Sequence, residues 1–224
     1  MESALEELSK EFSHSDEPQT IKLNLYLTPA IDRTINPSKL ISVCKHVQKN
    51  FNNNFNTNFS YNFDTITSDP PSALEFFKRE AAILQENSEI DNYHEVVEEA
   101  IDLYYSKKLL QRKFLDYRLL FEDNAAKQEG LHVIIHKAEG GIGEESGGVA
   151  HMGHPYALVS NQEKELMKKI MLHEVGHCFS AKHSPLQYSF MYPWTKAYSF
   201  KPQYWDPESI KTINENLKRF TSTQ

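Results

Sequence analysis

Cysteine is nearly absent from this chain of 224 residues: Cys44 and Cys178 are the only two. So sparse a pair builds no disulfide framework, and with both on predicted helices they read as free buried thiols, suited to a reducing compartment. Glycine is scarce too, 8 in all, and Gly140-Gly141-Ile142-Gly143-Glu144-Glu145-Ser146-Gly147-Gly148 forms a flexible loop. No helix is predicted to follow that loop, which excludes a phosphate cradle. There is no run of about 18 apolar residues, hence no membrane span. Met1 to Thr20 lack the apolar stretch of a secretory signal, so the expected location is the cytoplasm, or the exterior by a non-classical route. Basic charge is outnumbered, 24 Lys and Arg against 31 Asp and Glu, for a net charge of −7. That balance excludes nucleic acid and anionic membrane surfaces as expected partners.

Histidine, by contrast, is plentiful at 10 residues, and three of them stand in His173-Glu174-Val175-Gly176-His177 followed by His183. Two residues four apart on a helix share a face, about 6 Å apart along the axis. Both imidazoles can therefore reach one metal ion. Glu174, roughly 100° around the helix, sits beside the ion without ligating it. His183, just past the helix end, completes three nitrogens and leaves a position open, the arrangement zinc uses for hydrolysis. Three neutral imidazoles leave the ion at +2, so water there loses its proton near neutral pH, with Glu174 receiving it and handing it to the departing amine.

Ser189-Phe190-Met191-Tyr192-Pro193 follows. HEVGHCFSAKHS together with SFMYP resembles the zinc-binding helix and Met-turn of the metzincin metallopeptidases, most closely the matrixin (matrix metalloproteinase) branch. One position departs from HExxHxxGxxH: Ser180 stands where the family has the glycine that turns the chain back, so the turn either bears strain or takes another route. Glu208 is the alternative third ligand.

The resemblance implies an α+β (α/β) metzincin-like catalytic domain. Its parts are a twisted mixed sheet with an antiparallel edge strand, an active-site helix, a Met-turn and a C-terminal helix. It implies one catalytic Zn2+ held by His173, His177 and His183, with Glu174 as general base and acid and Met191 as an apolar floor. Gly148-Val149-Ala150-His151 resembles the edge strand, so Val149 and Ala150 are expected to grip the backbone of a peptide substrate. Tyr192, Pro193 and Trp194 are expected to line the pocket for the side chain beyond the cut bond. The partners of the family's structural zinc are not in register around His151, and neither a second zinc at His136, His151 and His154 nor calcium is expected.

Periodicity supplies the frame. Residues 1–19 read as a tail. Ile21, Leu23, Leu25 and Leu27 alternate as a strand. Asn36-Pro37-Ser38 opens a helix with the stripe Leu40, Ile41, Val43, Cys44 and Val47. Asn50 to Asn58 reads as a loop before a strand over 59–66. Residues 70–128 read as a helical insertion, either a lid or lobe beside the cleft or a structural hairpin, with Ser72 and Glu75 as a capping box. Leu131, Val133 and Ile135 mark a third strand. Ser160 with Glu163 reads as the capping box of the motif helix, and Asp206-Pro207-Glu208 as the start of a C-terminal helix. The domain spans 20–224 and is expected to be a monomeric endopeptidase acting on proteins or peptides. Two alternatives stay open: a zinc-binding protein without proteolysis whose insertion binds a partner, and a selective exopeptidase.

Overall fold

Strand β1 (Gln19–Leu27) shows the expected alternation, with Ile21, Leu23 and Leu25 at 1% exposure or less, yet Asn24 and Tyr26 on its other face are buried as well. A strand buried on both faces belongs to the interior of a sheet, and β1 lies between two neighbours. The computed structural model describes residues 19–28, 35–66, 82, 102, 111–117, 129–137, 147–193 and 203–221. Within them, β2 (Thr57–Thr65), β3 (Leu131–Lys137), β4 (Gly148–Ala150) and β5 (Tyr156–Asn161) complete a five-stranded sheet ordered β2-β1-β3-β5-β4. All neighbours are parallel except β4, which runs antiparallel to β5 at the edge. The sheet is mixed and mostly parallel, with the antiparallel edge strand in the expected place.

Helix α1 (Pro37–Phe55) connects β1 to β2 and begins as its sequence indicates, with Asn36 Oδ1 accepting from the Ser38 N–H and Pro37 in the first turn. It then continues through the asparagine-rich stretch expected to be a loop. Phe51 and Phe55 decide this: both are buried, and the Phe51 ring meets Phe55, Phe59, Phe179 and Trp205 at 5.0–5.6 Å. Burying two aromatic rings outweighs the weak helix propensity of asparagine, a few tenths of a kcal/mol per residue. The helix stops at Asn56, in the left-handed conformation at φ 47°.

Helix α2 (Lys164–Cys178) carries the histidine motif, and α3 (Pro207–Asn216) with a short 3-10 turn, Leu217–Arg219, closes the described chain. The Ser160–Glu163 capping box does not form. Ser160 is wholly buried in β5 with its N–H on the Gly147 carbonyl, and α2 begins later, without a side-chain cap. Sheet pairing has claimed the residue first.

Side chains of α1, α2 and the odd-numbered positions of β1, β3 and β5 form the main core. Tyr26, Ile134 and Leu158 point to the opposite face and pack with Ile66, Phe114 and Tyr117. Residues 111–117 are helical, so this stretch of the expected insertion covers the sheet face away from α1 and α2. The rest of the insertion, apart from residues 82 and 102, and the tail before Gln19 lie outside the described residues.

Candidate metal centre

From Ile170 to Cys178 every residue of α2 is buried, and the polar members of the motif share that burial: His173, Glu174 and His177 are 5–7% exposed. The helix ends in a tight reversal. Ala181 N–H donates to the Gly176 carbonyl (3.1 Å) and Ser180 N–H to the His177 carbonyl (2.9 Å), the paired bonds of a Schellman turn. Ser180 takes φ 71°, so it follows the glycine route without being glycine, at a cost of about 1–2 kcal/mol. The reversal brings His183 back over the helix.

The three imidazoles converge. Their ligand atoms lie within 4.8 Å of one another, the only such three-donor group among the described residues. His173 Nδ1 lies 2.7 Å from the Phe190 carbonyl and His177 Nδ1 2.7 Å from the Ala181 carbonyl. A carbonyl only accepts, so each Nδ1 carries the proton and each Nε2 a lone pair. Those lone pairs face each other at 3.1 Å, a repulsive arrangement that a cation between them relieves. Zinc–nitrogen bonds of 2.0–2.1 Å in tetrahedral geometry put donors about 3.3 Å apart, so the His173–His177 pair is spaced for zinc, with His183 within 4.8 Å. Burial pushes His173 down to about 3, with His177 and His183 adding to the effect against the Phe190 hydrogen bond. Burial likewise takes His177 down to about 4, opposed by its bond to Ala181. Both rings are neutral at pH 7. His183, exposed, opens the group to solvent.

Glu174 lies against the edge strand. A Cβ on Gly148 would fall 2.7 Å from its Oε1, and burial pushes its carboxyl up to about 8. Beneath the helix, Met191 is fully buried, its Sδ 2.6 Å from where a Gly176 side chain would begin. Glycine at 176 is what permits that approach.

Asp206, read from sequence only as a helix cap, does more. It accepts from Ser189 Oγ (2.6 Å), Ser209 Oγ (2.6 Å) and Ser209 N–H (3.1 Å). Ser189 Oγ in turn accepts from the Met191 N–H, and Ser184 N–H donates to the Met191 carbonyl. Burial alone would raise the Asp206 carboxyl, but hydrogen bonds from Ser189, Ser209 and Ser184 outweigh it and hold it low. One carboxylate thus ties together the Met191 turn, the segment after His183 and the start of α3. No sequence pattern signals this, since the donors are scattered serines.

Of the expected substrate contacts, Val149 and Ala150 do lie on β4. The bonds Ser160 N–H to Gly147 O and His151 N–H to Tyr156 O set the register. By antiparallel alternation Val149 turns its backbone groups toward β5, while Gly148 and Ala150 turn theirs to the open edge. Tyr192 is half-buried and Pro193 exposed just past Met191; Trp194 lies outside the described residues. Glu208 is exposed in a small hollow shared with His183 but is not in the converging group. His151 and His154 stack at 3.8 Å, and buried His136 faces Ser160 Oγ at 3.4 Å; these three do not converge.

The fold of this chain is shared with solved structures. The chain is similar to archaemetzincin from Methanopyrus kandleri, with TM-score 0.55 and 15% identity over 89% of this chain and 97% of that one. It is also similar to metalloproteinase-II from Bacteroides fragilis, with TM-score 0.54 and 12% identity over 91% of this chain and 54% of that one. At these identities the likeness is one of fold. No protein-family model and no curated protein sequence matches the chain.

Proposed function

We propose that this protein is a zinc-dependent metallopeptidase that cuts within peptide chains. The observation that carries the reading is the pair of Nε2 lone pairs held 3.1 Å apart, each fixed by a carbonyl on the opposite ring nitrogen. Folding places two acceptors in a geometry that only a cation favours, and the exposed His183 supplies the third. Zinc there would activate water and polarise the scissile carbonyl. The fold shared with archaemetzincin and metalloproteinase-II supports the same class.

The chain's own groups account for the remaining steps. Glu174, buried beside the ligands and against the edge strand, would take a proton from water and return it to the leaving amine. A peptide laid antiparallel along β4 meets the outward N–H and C=O groups of Gly148 and Ala150, which orient its backbone without reading its side chains. Met191, Tyr192 and Pro193 follow the matrixin-like pattern, and in this reading Met191 is the floor beneath the ligands and the two residues after it border the pocket.

The test joins zinc analysis to cleavage of a peptide library by wild type and Glu174→Gln. Stoichiometric zinc in both, with hydrolysis reduced about 10²–10⁴-fold in the variant, is the expected result. Zinc without hydrolysis in the wild type would instead assign a binding protein, and release of terminal residues alone an exopeptidase.

A further inference from the structure

Gly147 and Gly148 lie flush against α2 at two positions one turn apart. A Cβ on Gly147 would meet Ile170 Cδ1 at 2.3 Å; one on Gly148 would meet Glu174 Cγ at 2.6 Å, Oε1 at 2.7 Å and Cδ at 2.9 Å. Real Cβ atoms do not approach that closely, and Glu174 is only 5% exposed. The bare backbone of the edge strand is therefore one wall of the carboxylate's compartment. We propose that Gly148 is a positioning residue for Glu174, so that the strand a substrate would pair with also sets where the general base sits. This rests on the metallopeptidase reading for its catalytic meaning, while the contact itself can be tested without activity.

The experiment is a stability and activity cycle on the full chain, with Gly148→Ala and Gly147→Ala each placed in wild-type, Glu174→Gln and Glu174→Ala backgrounds. Gly148→Ala should lower Tm by about 5 °C in the first two backgrounds. It should cost nothing once Glu174→Ala has vacated the compartment. Gly147→Ala, which meets Ile170, should cost the same in all three. In the wild-type background Gly148→Ala should retain zinc yet lose about a hundredfold in kcat, the scale expected for misplacing a reacting group by an ångström. Should Gly148→Ala alone fail to fold, rescue of folding by Glu174→Ala supports the proposal equally. An equal penalty in all backgrounds, or no rescue, overturns the proposal. A wild type that never hydrolyses peptides refutes the proposed function, yet the Tm cycle still reads the contact.

Discussion

Lowering the pH to about 5.5 should weaken zinc binding by less than the eightfold of a single ordinary imidazole, and this follows from how the two buried imidazoles are held. A ligand imidazole must be unprotonated. With the ordinary pKa near 6.5, moving from pH 7 to 5.5 would weaken binding about eightfold per ring, about 70-fold for two. Burial has already taken His173 to about 3 and His177 to about 4, so at pH 5.5 they carry only a few per cent of a proton between them and their joint penalty is negligible. His183, lowered by burial as well, contributes less than its ordinary eightfold. The cost appears in folding. The unfolded chain binds the two protons that the fold rejects, so metal-free stability is present above about 6.5 and is lost as pH falls toward 4. Glu174 acts in the other sense: raised to about 8, its contribution is full below its unfolded value and is lost as pH rises through 8. The depressed imidazoles, His46 and His183 among them, against one raised carboxyl place the metal-free Tm maximum between about pH 6.5 and 8. Chelator competition, corrected for the chelator's own protons, and thermal melts of stripped protein read both halves. A roughly 70-fold weakening between pH 7 and 5.5 would refute the claim that folding itself deprotonates the ligands.

Two further outcomes test the frame around the site. Asp206→Ala removes the acceptor shared by Ser189 and Ser209; it should cost about 2–3 kcal/mol of stability and loosen zinc about 10–100-fold through the His183 and Met191 segments. Unchanged affinity in equilibrium dialysis would show that the clamp does not hold the ligands. Ser180→Gly relieves the left-handed strain at φ 71° and should raise Tm by about 2–4 °C with zinc content unaltered. A fall in Tm would mean that the Ser180 hydroxyl, which lies 2.8 Å from where a Cβ on Gly153 would be, matters more than the backbone.

That His173 and His177 share a face was legible because helical geometry converts a spacing of four into one face, whereas the approach of His183 depends on the reversal at Ser180. The alternations of β1 and β3 and the cap of α3 were legible for the same local reason. Asn50 to Asn58 misled because propensity is local whereas the burial of Phe51 against Phe179 and Trp205 is not. Ser160 misled because a capping pattern competes with a sheet partner that sequence does not announce. Only the tertiary structure decided which ring nitrogens carry protons, since the deciding carbonyls belong to Phe190 and Ala181 beyond the helix. It alone put Gly148 against Glu174 and gathered distant serines on Asp206, because contacts between segments far apart in the chain leave no periodic trace. The pairing of His173 with His177 was thus written in short-range spacing, while the placement of Glu174 and the supports of the group depended on packing across the fold.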